Sequence, residues 1–100
     1  MSPQFRRGTL ITLEGGEGSG KSTQAEALAA LLREREYSVV LTREPAGTRL
    51  GGIVKEILQQ GIALTPEAEM FLFQAARAQH VQEVVRPALE RGDVVLCDRY

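Results

Sequence analysis

Gly15, Gly16, Glu17, Gly18, Ser19, Gly20, Lys21, Ser22 and Thr23 stand in a row behind an apolar run. Glycine loses more backbone freedom on folding than any other residue, so a cluster of it needs a reason. Gly15, four residues, then Gly20-Lys21-Ser22 satisfies G-x-x-x-x-G-K-[ST] at every fixed position. In such a loop successive backbone N–H groups turn inward and make a concavity for anions. A helix that starts at Lys21 adds the partial positive charge of its N-terminus. Lys21 then reaches the terminal phosphates of a nucleoside triphosphate, and the Ser22 hydroxyl helps to hold Mg²⁺. The alternative is a chance glycine-rich turn. The flanking apolar run and helical pattern argue against it, but nucleotide binding does not by itself name a reaction.

Other groups could face an acceptor. Glu17 lies inside the loop, where a carboxylate is unfavourable to incoming phosphates; it points to solvent or takes a hydrogen bond from a sugar hydroxyl. Asp98 and Arg99 follow a third apolar run. At the carboxyl end of a parallel strand, Asp98 would sit near the metal and Arg99 could grip a phosphate. By spacing alone, a surface ion pair fits equally well. Phe73 and Arg77 are one helical turn apart and could stack on and read a base, though alone they suit a core ring and a surface cation better. Met70 and Phe71 read as core or crevice wall. The stretch Arg43-Glu44-Pro45-Ala46-Gly47-Thr48 would wall an acceptor pocket or form an ordinary turn. His80 shows no partner and reads as structural. Cys97 reads as a buried thiol.

These residues need elements to hold them. Thr9–Leu13 is a β-branched apolar run suited to a strand buried on both faces. From Lys21 to about Arg35, Ala25, Leu28, Ala29 and Leu32 mark one helical face. Ser38–Thr42 predicts a second strand, and Leu50 to about Gln60 a second helix stopped by Gly61. Thr65-Pro66 starts a third helix that runs to about Val84. Pro87 predicts a fresh turn rather than a helix interior. Val94–Asp98 is a third buried strand. Strands alternating with helices predict a parallel α/β sheet. Three strands leave an open edge, which suggests the N-terminal part of a longer protein.

Over 100 residues, 43% hydrophobic and 25% charged with a net charge of −1, the composition is that of one globular domain. It gives no basic surface for nucleic acid. The lone Cys97 excludes an internal disulfide and suits a reduced, cytoplasmic setting. The apolar run near the N-terminus is too short for a membrane span.

The segments ITLEGGEGSGKSTQ, TREPAGTRLG, AEMFLFQAARAQHV and VVLCDRY occur in an order and spacing that resembles bacterial thymidylate kinases. The resemblance implies a P-loop NTPase fold, a three-layer α/β/α sandwich on a parallel sheet with about three strands here. Residues 1–100 would be the N-terminal part of a single nucleotide-kinase domain, since family members run to about twice this length. It implies transfer of the γ-phosphoryl of ATP to dTMP, giving dTDP, with Mg²⁺. By the same resemblance, Gly15 to Thr23 would cradle ATP, and Glu17 would contact the deoxyribose 3′-hydroxyl. Phe73 would stack on thymine and Arg77 would bond the base. Pro45 would line the substrate loop, and Arg99 would hold the dTMP phosphate with a catalytic role beside Lys21. Ser22 and Asp98 would serve the metal. A homodimer is implied too.

Gly18 stands where some members carry a catalytic arginine, so the chain resembles the subtype that places this arginine in a lid, expected after Tyr100. Ala46 replaces the usual glycine and would be strained at positive φ. Gly52 and Lys55 stand where many members carry Glu and Arg. The rival readings are another P-loop nucleoside or nucleotide kinase, or, for the isolated piece, nucleotide binding without turnover.

Overall fold

In the computed structural model, which describes residues 8–15 and 20–99, three parallel strands form one sheet in the order β1-β3-β2. The strands are β1 (Thr9–Glu14), β2 (Val39–Arg43) and β3 (Val94–Arg99). The helices are α1 (Lys21–Glu34), α2 (Arg49–Gln59), α3 (Pro66–His80) and α4 (Arg86–Glu90), with a π turn, Val81–Val85, between the last two. The central position of β3 follows from its sequence. Val94, Val95, Leu96 and Cys97 are all buried, as a strand covered on both faces requires. Alternate residues serve opposite layers. Val94 and Leu96 pack with Ala29 of α1. Val95 packs on the other side with Val85 and Ala88, from the π turn and α4. Three layers result, as expected.

β1 and β2 depart from expectation. Thr9, Leu10 and Glu14 of β1 are exposed, as is Leu41 of β2. Each of these strands pairs only with β3 among the described residues, so its apolar run is covered on fewer sides. The register matters more for function. Leu13 and Arg43 both lie opposite Asp98, so the carboxyl ends of all three strands finish level.

The helix starts obey local chemistry. The Thr48 hydroxyl accepts from Gly51 N–H at 3.0 Å, and the Thr65 hydroxyl accepts from Ala68 N–H at 3.1 Å. Pro66 occupies the first turn of α3, where its missing N–H costs nothing. Gly20 caps α1 at φ 81°, a left-handed conformation that a side chain would disfavour. Pro87 does not begin a separate turn. Helical backbone continues from α3 through α4, and the π turn bonds Arg86 N–H to Val81 O. That wider turn relieves the ladder position that Pro87 could not fill.

Candidate active site

Three strand ends and the helix that follows β1 converge on one place. Lys21, the first residue of α1, is buried and its ammonium forms an ion pair with the Asp98 carboxylate at the end of β3. The next residue, Ser22, donates from its hydroxyl to Asp98 Oδ2 at 3.1 Å. A lysine, a hydroxyl and a carboxylate thus meet at the start of α1. Two hard oxygen donors beside a fixed cation suit an octahedral, phosphate-bound Mg²⁺ better than a softer metal. Gly16, Glu17, Gly18 and Ser19 lie outside the described residues. Gly15 follows β1, and Thr23 is exposed on the first turn of α1.

A second cluster adjoins the first. Glu44 leaves the end of β2, and its N–H bonds to Asp98 O at 2.9 Å, which ties the two strand ends together. Its carboxylate is buried and divided by atom. Oε1 accepts from Arg77 Nε at 3.1 Å, Arg77 Nη2 at 3.0 Å and Arg99 Nε at 3.1 Å. Oε2 faces His80 Nδ1 at 3.1 Å. Burial acts to raise the Glu44 pKa. The hydrogen bonds from His80 and Arg77, with the charges of Arg77 and Arg99, outweigh it and hold the carboxyl below its ordinary range.

Glu44, Pro45, Phe73, Gln74, Arg77 and Arg99 line a cleft of about 300 Å³. Phe73 is half exposed there, as a ring offered to a ligand must be. Two guanidinium forks and an aromatic face in one cleft can take a planar, anionic molecule. A larger cavity of about 560 Å³ shares Pro45 and Phe73 and is walled by α2 and α3, with Lys55 at its edge. The smaller cleft is the better candidate, because the charged groups converge on it.

Of the described residues predicted for the site, Gly15, Gly20 and Thr23 make none of these contacts, and the others fall into the two clusters. Lys21, Ser22 and Asp98 form the first; Pro45, Phe73, Arg77 and Arg99 form the second. Met70 lies on a crevice wall, but Phe71 is 65% exposed and is not core. Ala46 is unstrained, since Glu36 is the described non-glycine residue with positive φ. Thr42 and Glu44 fall in the segment TREPAGTRLG and His80 in AEMFLFQAARAQHV, but those segments assign no role to these three side chains. The available signal is spacing: Phe73, Arg77 and His80 recur at four and three residues, one face of α3.

His80, expected to be merely structural, has two polar partners, Glu44 and Thr42, the latter at 2.8 Å. Glu44, His80 and Cys97 bring three potential ligand atoms within 4.8 Å of one another. Their chemistry disfavours a cation. Glu44 already carries two guanidiniums, and burial, then the Glu44 charge, push the Cys97 thiol up to about 11.

Residues 13–100 match the family model described as thymidylate kinase. The chain is 61% identical over 91 residues to a thymidylate kinase of Thermomicrobium roseum, covering 91% of this chain and 43% of that protein. It is 54% identical to one of Deinococcus radiodurans, covering 94% of this chain and 46% of that protein. The crystal structure of thymidylate kinase from Ehrlichia chaffeensis superposes with a TM-score of 0.84 at 40% identity, over 94% of this chain and 54% of that one. The chain therefore spans less than half the length of these curated relatives.

Proposed function

Because the chain belongs to the thymidylate kinase family, we propose that the protein containing it transfers the γ-phosphoryl group of ATP to dTMP, giving ADP and dTDP. The observation that carries this reading is the pairing of two sites at level strand ends. Lys21, Ser22 and Asp98 suit the donor, and Phe73, Arg77 and Arg99 suit the acceptor.

The chemistry asks little of a base. The second pKa of a phosphate monoester is about 6, so the acceptor is already largely a dianion near neutral pH. A dTMP phosphate oxygen bonds to the γ-phosphorus as the bond to the β,γ-bridging oxygen breaks, and ADP leaves with that electron pair. Positioning and charge neutralisation do the rest. Lys21 holds the terminal phosphates, and Arg99 holds the acceptor phosphate. Phe73 and Arg77 orient the base, Pro45 closes the pocket wall, and Glu17 takes the sugar hydroxyl. Ser22 and Asp98 would hold Mg²⁺, whose charge neutralises the phosphates. A homodimer is part of this reading, supported by Leu50, Ile53, Met70 and Phe71, which are exposed on α2 and α3. A cytoplasmic location is supported by the lone buried Cys97 and by the absence, among the described residues, of a helix long and apolar enough to cross a membrane.

Steady-state kinetics of the complete protein test the assignment. Lys21→Ala should lower kcat about 100-fold or more. Arg99→Ala should lower kcat/KM for dTMP by a similar factor while KM for ATP stays close to wild type. Wild-type turnover in Lys21→Ala, or an unchanged kcat/KM for dTMP in Arg99→Ala, contradicts these roles.

A further inference from the structure

We propose that His80 is a positioning residue of the acceptor site: anchored by Thr42, it fixes the Glu44 carboxylate and so aims Arg77 and Arg99 into the cleft. The inference rests on the acceptor reading given above and adds residues to it that touch no substrate.

His80 is the single histidine of the chain and is fully buried. Its two nitrogens reach opposite ways. Nε2 lies 2.8 Å from the Thr42 hydroxyl within β2, and Nδ1 lies 3.1 Å from Glu44 Oε2 just beyond that strand. An ionised carboxylate can only accept, so Nδ1 carries a proton, and the Thr42 hydroxyl, which can donate or accept, pairs with Nε2. Both ring nitrogens are then satisfied, and the ring cannot rotate without losing one bond.

The consequence lies in how Glu44 is shared. With Oε2 taken by His80, both arginines crowd onto Oε1. Arg99 meets the carboxylate through Nε, so its terminal nitrogens are not spent on Glu44. Arg77 uses Nε and Nη2 and leaves Nη1. Removing the imidazole frees Oε2, and the carboxylate can then turn and draw the guanidiniums into a different pairing. Guanidinium forks are directional, so such a turn misaims them.

Two further features fix the ring. A Cβ at Gly47 would lie 2.6 Å from His80 Cδ2, so the loop backbone rests on the imidazole and admits no side chain there. His80 also closes α3 immediately before the π turn, a feature that frequently re-aims residues at functional sites. An apolar residue could fill the same volume, but it would leave the Thr42 hydroxyl and Glu44 Oε2 without their partner.

The test uses ATP- and dTMP-dependent ADP release by the complete protein, with folding checked by thermal melting. His80→Phe keeps the ring volume and removes both nitrogens. It should raise KM for dTMP about tenfold while KM for ATP changes less than about twofold. Thr42→Val removes the anchor and should shift KM for dTMP the same way by a smaller factor. His80→Asn keeps a donor near the position of Nδ1 and should fall closer to wild type than His80→Phe. An unchanged KM for dTMP in folded Thr42→Val overturns the proposal, even if His80→Phe does not fold. So does an equal rise of both KM values, or equal loss in the Asn and Phe variants. A wild-type protein that releases no more ADP with dTMP than without it sinks the acceptor reading, and this inference with it.

Discussion

Glu44 joins the end of β2 to β3 by its backbone and to α3 by its side chain. Its folded pKa is lowered from 4.5 although burial alone would raise it. A depressed carboxylate pKa contributes stability that is present above the unfolded value, about 4.3. That contribution is lost as pH falls through the lower folded value. Wild type and Glu44→Gln should therefore differ most in melting temperature at neutral pH, and the gap should narrow below about pH 4.5. A gap independent of pH would show that Glu44 acts through shape rather than charge. At this scale the sequence was informative where a motif fixed the spacing. Lys21 and Ser22 were legible because the phosphate loop is visible in the residue order, whereas for Asp98 the spacing alone fitted a surface ion pair equally well. Glu44 was not, because its partners lie 33, 36 and 55 residues away and only the fold brings them together.

Helix ends were read with similar success where a side chain caps them. Thr65-Pro66 announces α3 and the hydroxyl bond to Ala68 N–H delivers it. The end of α1 is different. Glu36 adopts φ 69°. Tyr37 N–H bonds to Leu32 O at 3.1 Å and Glu36 N–H to Arg33 O at 3.0 Å, the paired closure of a Schellman motif. Glycine is the usual residue at that left-handed position, and a side chain there costs roughly 1–2 kcal/mol. Glycine's larger freedom in the unfolded chain offsets about half of this. Glu36→Gly should thus stabilise the protein by about 0.5 kcal/mol, read as a higher urea midpoint at unchanged slope. A lower midpoint would contradict the strain. The π turn was illegible for a related reason. A proline in a helical pattern reads as a break, and residue spacing carries no sign that one turn will widen to hold it.

The whole molecule arranges its loops through the strand order. With β3 between β1 and β2, the end of β1 and the Glu44-Pro45 loop stand on either side of Asp98 and Arg99. The groups proposed for donor and acceptor then share one edge of the sheet, where ligands of parallel α/β folds bind. The alternation of strands and helices was legible from periodicity, and so was the burial of β3. The exposure of β1 was not, because an apolar run records what a strand can bury and not how many neighbours it has. The chain belongs to the thymidylate kinase family, the proposed reaction joins the two clusters, and the acceptor is the central claim of that proposal. The most direct measurement is ADP release by the complete protein with ATP and dTMP, dUMP, dCMP, dGMP or AMP offered separately. Strong preference for dTMP is the predicted result. Equal use of all acceptors, or ATP hydrolysis that needs no acceptor, would contradict the assignment of Phe73, Arg77 and Arg99 to a thymidylate pocket.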